Sequence, residues 1–179
     1  MDALVTERLS RGDWIAVALR ELAEHGHNAL TANRLASVLG VSRGSFYWHF
    51  RNVDDFESGV LARWRERVTD GTIEKVERLA TATERLEALV RTSLSAEARL
   101  ERAVRSWAMD SPTVAKFVSG VDAKRIDYIR QQLIAIGVDQ GDVDIKALIL
   151  YWASIGMIMR PTTDSTKSVA ADTVVRLFT

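Results

Sequence analysis

Cysteine is absent from the 179-residue chain, which removes disulfides, thiolate metal sites and cysteine nucleophiles together and fits a reducing compartment. Proline occurs only twice, at Pro112 and Pro161, and period-two alternation of β-branched residues is scarce, so little opposes helix. No net charge remains, since 24 basic and 24 acidic residues cancel. The molecule as a whole is therefore no polycation, and any surface for a polyanion must come from local clustering. The opening MDALVTERLSRGDW has no apolar core of signal-peptide type. The longest apolar stretch, Ala147 to Met159, is well short of the roughly 20 residues that span a bilayer. These absences predict a cytoplasmic protein with no membrane partner. Aromatic residues make up only 7% of the chain, so where they gather matters.

What is present reads as all-helical. A first helix begins near Ser10, with Ile15, Ala18, Leu19 and Leu22 at one-face spacing, and ends at Gly26. Thr31 caps a short second helix to Leu39, Gly40 and Val41 turn the chain, and Ser42 is placed to cap a third running to about Phe50. Asn52 caps a fourth, whose first turn holds Asp54, Asp55 and Glu57, the sign its dipole favours. It runs towards or past Thr69, with Asp70 and Gly71 as a point of interruption. Further helices are predicted over 83–94, 97–109, 111–136, 143–159 and 167–178, with Pro112 at a first helical position and Gly137 just past an end. The polar, turn-rich stretch is 161–168. Short helices in front and long ones behind predict a boundary near Asn52: a small domain over 1–52 and a larger helical domain over 53–179.

The stretch GVSRGSFYWHF, Gly40 to Phe50, crowds four aromatic rings together. At 100° per residue Phe46 and Phe50 share one helix face, while Gly44 and Trp48 lie opposite, flanked by Ser45 and by Tyr47 and Arg51. Two rings face inward and two outward, and large exposed rings mark a contact surface. Thr31 to Phe50 has the pattern of a helix-turn-helix: small Ala36 at the crossing, Gly40 at the turn, and Leu35, Leu39, Val41 and Phe46 as a miniature core. Between Thr31 and Asn52 stand Arg34, Arg43 and Arg51 and no acidic residue. In such a motif the second helix enters the major groove of double-stranded DNA. Gly44 then allows close backbone approach, Ser45 and Tyr47 reach phosphate oxygens, and Trp48 packs on sugar or a thymine methyl. Arg43 is placed for bidentate contact with guanine, His49 donates to phosphate at the edge, and Thr31 with its helix terminus holds another phosphate.

LTANRLASVLGVSRGSFYWHFRNVDDF resembles the DNA-binding segment of the TetR (tetracycline-repressor-like) family of bacterial transcription regulators. The match runs through Thr, Ala, Gly-Val-Ser, Gly-Ser, Tyr and His-Phe, and covers roughly residues 10–60. By that resemblance Thr31, Ser42, Arg43, Gly44, Ser45, Tyr47, Trp48 and His49 fall where family members touch DNA. Many members carry lysine where this chain has Val53, a phosphate contact that is here either missing or taken over by Arg51. The resemblance further implies a rear domain that binds a small-molecule effector and shifts the two reading heads of a dimer. Trp107, Met109, Phe117, Tyr128, Trp152 and Met157 are candidates for lining that pocket, though core packing accounts for each of them equally well.

Ala147 to Met159 has hardly a polar side, so it must be covered all round. One face meets its own domain and the other a second copy, with Ala153, Ser154 and Gly156 small enough for close approach. The helix over 167–178 is expected to complete a four-helix interface in a homodimer. Nothing points to an enzyme, cofactor or metal. His25 and His27 lack metal-ligand spacing, and Ser42, Ser45 and His49 have no orienting carboxylate. The resulting expectation is a dimeric, ligand-responsive repressor acting on an inverted-repeat operator. The alternative is a helical ligand-binding or protein-interaction module that keeps the helix-turn-helix as scaffold.

Overall fold

In a computed structural model of the chain, described for residues 9–93, 98–160 and 171–178, every regular element is helical. The order is α1 (Arg11–His25), α2 (Ala32–Leu39), α3 (Gly44–His49), α4 (Val53–Arg65), α5 (Gly71–Val76), α6 (Ala82–Ser93), α7 (Ala98–Asp110), α8 (Pro112–Ile136), α9 (Gln140–Met159) and α10 (Ala171–Arg176). A 3-10 turn, His27–Ala29, links α1 to α2, and a π turn, Glu66–Asp70, links α4 to α5.

Local chemistry sets most of the boundaries. Ser10 and Asp13 form a reciprocal capping box at the start of α1, and the Thr31, Asn52 and Ser111 side chains accept the backbone N–H three residues on. Gly40 and Gly137 end α2 and α8 in the left-handed region, where a side chain would be strained. Two local expectations are corrected. Arg43 already has helical backbone angles and α3 starts without a side-chain cap, so the Ser42 hydroxyl does not cap it; the Ser45 N–H donates instead to the Ser42 carbonyl. The fourth helix neither ends at Asp70 nor runs through as plain α-helix. It widens into the π turn and resumes as α5. Residues 161–168 and the predicted start of the last helix lie outside the described residues.

Side chains gather into two hydrophobic cores. The first joins α1–α4 to α7 and the front half of α8, through Trp14, Phe46, Phe56, Trp64, Val104 and Val118. The second joins α6, the rear half of α8, α9 and α10, through Leu86, Leu133, Leu150 and Val175. The spine is α8, about 37 Å long at 1.5 Å per residue, with Val114, Val118 and Val121 in one core and Ile129 and Leu133 in the other. His27 stacks on Trp107, with centroids 6.4 Å apart and planes 5° from parallel, closing the seam between the 3-10 turn and α7.

Helix α9 buries Ala147, Leu150, Tyr151 and Ile155 and leaves Ile145, Leu148, Ile149 and Trp152 exposed on the other side. Within the chain α10 packs on α6, and α9 packs chiefly on α8. The inward residue of α10 is Val175, which joins the second core, while Leu177 points to solvent. No helix of the described residues is long and apolar enough to cross a membrane.

Candidate nucleic-acid interface

The local fold separates the aromatic cluster as the helical phase requires. Phe46 and Phe50 are each 1% exposed, and Phe46 packs edge-on against Trp14 at 5.5 Å and Phe56 at 5.2 Å. Truncating a buried ring of this kind costs about 3–5 kcal/mol, so the inner pair anchors α3. On the outer side Tyr47 is 51% and Trp48 85% exposed. Thr31, Ser42, Arg43, Gly44 and Arg51 are exposed beside them, and Ser45 and His49 half-buried. All nine residues proposed for DNA lie on α3 or at its flanks, apart from Thr31 at the start of α2.

Arg43 Nη2 donates to the Tyr47 hydroxyl at 3.3 Å, with the guanidinium 5.8 Å above that ring. The base-reading candidate is thus steadied by the phosphate-binding candidate one turn on, a coupling that residue types alone did not disclose. The three arginines part company. Arg34 Nε lies 2.6 Å from the buried Glu21 carboxylate and is held by it, though its side chain is still 44% exposed; Arg43 and Arg51 are exposed without a bond to a buried acid. Val53 is exposed, and Arg51 stands two residues before it with its Nε 3.8 Å from Asp55.

Asp55 ties the ends of α3 and α4 to α1. Arg11 Nη2 donates to Asp55 Oδ1 at 2.9 Å, Arg11 Nη1 donates to the His49 carbonyl at 3.0 Å, and the Arg51 N–H donates to Asp55 Oδ2 at 3.0 Å. The Arg11 bond above all, then the Arg51 N–H, pulls the Asp55 carboxyl down to about 2. Sequence reading missed this latch; its one signal was an arginine in the first turn of α1, where the dipole favours acid.

Among the described residues, Glu21, Glu24 and His25 alone bring three possible metal-ligand side chains within 4.8 Å of one another. Glu21 is already engaged by Arg34.

A second site lies between the two cores, a cavity of about 490 Å3 lined from the π turn, α5, α6, α7, α8 and α9. Of the six pocket candidates, Tyr128 lines it. Trp107 and Phe117 belong to the first core, Met109 is 87% exposed, and Trp152 sits on the outer face of α9. Met157 is half-buried away from the lining. The cavity's polar end was not foreseen. Arg125 grips Glu101 through two bonds of 2.8 and 3.2 Å and donates to Thr69 Oγ1 of the π turn at 2.9 Å. Arg105 bonds Glu101 at 2.9 Å and Asp122 at 2.7 Å, and the Tyr151 hydroxyl donates to Asp122. Burial, chiefly, pushes the Tyr151 hydroxyl well above its usual range.

Known proteins place the two regions differently. Residues 15–56 match the family described as bacterial regulatory proteins, tetR family. A probable acrEF/envCD operon repressor of Escherichia coli (strain K12) is 40% identical over 43 residues, which are 24% of this chain and 20% of the relative. The chain thus aligns with about a fifth of that relative's length. Over nearly the whole chain the likeness is one of fold. A putative transcriptional regulator from Saccharomonospora viridis, in complex with choline, superposes with a TM-score of 0.76 at 21% identity, over 94% of this chain and 92% of that one. The transcriptional regulator FadR from Bacillus subtilis, in complex with stearoyl-CoA, does so with 0.71 at 16% identity, over 92% and 95%.

Proposed function

We propose, starting from the fact that the N-terminal segment of this chain belongs to the tetR family of bacterial regulatory proteins, that the protein is a sequence-specific DNA-binding transcription regulator. It acts as a homodimeric, ligand-responsive repressor on an inverted-repeat operator in the cytoplasm, not as an enzyme. Residues 1–52 do the reading, and residues 53–179 hold the effector and the second copy. The observation that carries this is the bare side of α3, with Trp48 85% exposed directly opposite two rings that are 1% exposed. A scaffold with no duplex to meet has no use for an indole in water.

Each exposed group then takes a role. Arg43, steadied by Tyr47, reads guanine; Tyr47, Ser42, Ser45, His49, Thr31 and Arg51 hold phosphates; Trp48 packs on sugar or a thymine methyl; Gly44 lets the backbone close in. Two copies joined through the outer face of α9, where Ile145, Leu148, Ile149 and Trp152 form one stripe, present two α3 helices to successive half-sites and add their energies.

The cavity is the effector site. Its wall includes Val68 and Thr69 of the π turn, which continues directly into α4 and the reading head, and π turns inside helices recur at functional positions. An effector that favours one setting of this turn shifts the head by its differential affinity for the two settings. The choline and stearoyl-CoA held by the two neighbours support a small-molecule role for the rear domain, but carry opposite charges and do not select a ligand.

The test is the affinity for the chain's own upstream DNA against salt. A regulator loses affinity steeply as salt rises and prefers an inverted repeat to random sequence. Arg43→Ala should cost roughly 1–3 kcal/mol on the preferred site and relax one base pair. Equal losses on specific and random DNA would remove Arg43 from base reading, and a flat salt response would remove DNA altogether.

A further inference from the structure

Most of the polar lining of the cavity's inner end is already spent on the protein itself. Thr69 Oγ1 accepts from Arg125, the Tyr128 hydroxyl donates to Glu77, the Tyr151 hydroxyl donates to Asp122, and the Ser154 hydroxyl donates to the Leu150 carbonyl. Glu101 and Asp122 are matched by Arg105 and Arg125, so the buried quartet sums to zero charge. A ligand head pushed against this end would gain no bond without breaking one, and a buried charge there would meet no counter-charge. Apart from Thr72, Thr92 and the two basic residues Arg67 and Lys75, the remaining walls, Leu86, Val90, Ile129 and Ile155 among them, are aliphatic. The enclosed part of any ligand is therefore hydrocarbon.

The mouth differs. Lys75 of α5 and Arg67 of the π turn both line the cavity and are exposed; Arg67 is already engaged, whereas no ion-pair partner for Lys75 occurs among the described residues. The acids nearest to it in sequence are both engaged: Glu74 holds Arg78 at 2.9 Å, and Glu77 holds Tyr128 and Arg85. Among the described residues, no carboxylate left uncompensated lines the cavity to draw a cation.

Resting on the reading of this cavity as the effector site, we propose that it takes an amphipath with a hydrocarbon body and an anionic head, the head lying beside Lys75, and refuses the cationic isostere. The probes are decanoate, decanol and decyltrimethylammonium, below their micellar concentrations, titrated calorimetrically into the full chain. Decanoate should bind roughly tenfold or more tightly than the ammonium, the worth of one charge contact at a wet opening. Lys75→Gln should bring the two together while leaving decanol unchanged. Ala98→Trp, which fills the cavity from its wall, should abolish all three.

The proposal is overturned if the ammonium binds as well as decanoate, if Lys75→Gln leaves the gap intact, if no probe binds, or if binding survives Ala98→Trp. Two further arms keep it separate from the regulator reading. Failure of the ligand-free protein to bind DNA would sink that reading with the head-charge order intact. Decanoate that binds without releasing DNA would sink the cavity's effector role alone.

Discussion

Gly44 gives a test in which stability and function should move in opposite directions. It is the first residue of α3, and it is not among the glycines with positive φ. A Cβ built there would have Ser42 Oγ at 3.7 Å as its nearest neighbour, an ordinary contact. Inside the free protein alanine therefore fits, and it restricts the unfolded chain. The gain is about 0.4–1 kcal/mol, which for a chain of this size raises Tm by roughly 1–4 °C. If the glycine serves a duplex, the added methyl occupies the space through which backbone approaches phosphate. Gly44→Ala should then lower affinity on the order of tenfold, by similar factors on operator and random DNA, because a backbone approach carries no sequence information. A thermal melt and a fluorescence-anisotropy titration on the same preparation read both quantities. A raised Tm with unchanged affinity would refute the close approach. A lowered Tm would refute the geometry that makes room for the methyl.

Two further outcomes follow from the latch and from α9. The folded-state depression of Asp55 to about 2 means that its contribution is fully present above the ordinary carboxylate value near 3.9 and is lost as pH falls towards 2. The stability difference between the native chain and Asp55→Asn, followed by tryptophan fluorescence, should therefore hold from neutral pH to about 5 and shrink between about 4 and 2; a difference constant across that window refutes the latch. Ile149→Glu places a charge in the middle of the exposed apolar stripe of α9. Sedimentation should show monomer and binding to a palindrome should fall towards that of a half-site, whereas an unaltered dimer would move the interface elsewhere.

Elements governed by their own neighbours in the chain were legible in advance. Ser10, Thr31, Asn52, Ser111, Gly40 and Gly137 act within a few residues, and the split of Phe46 and Phe50 from Tyr47 and Trp48 needs only the helical period. Ser42 misled because the backbone turns helical one residue early, at Arg43. The cavity was illegible for a different reason. Most of its walls are aliphatic residues with no mark to set them apart from core, and of the six large side chains that suggest a pocket in sequence only Tyr128 lines it, while others serve elsewhere, as Trp107 does against His27. Nothing in the residue types of Glu101, Arg105, Asp122 and Arg125 separates them from solvated helix charges. Only the packing of α7 on α8 joins Arg105 to Asp122 and Glu101 to Arg125. The one advance sign was that Glu101 falls between Leu100 and Val104, on a face otherwise apolar.

Helix α8 has a consequence for how such chains can be recombined. A reading head cut at Asn52 and grafted onto another body would leave Trp14 of α1 facing foreign side chains where α7 now packs, and would part Phe46 and Phe50 from Phe56. Exchange of binding specificity between relatives should therefore succeed by replacing the outward residues of α3 one at a time, because transplanting the whole front end breaks a hydrophobic joint that the donor and the recipient each built for themselves.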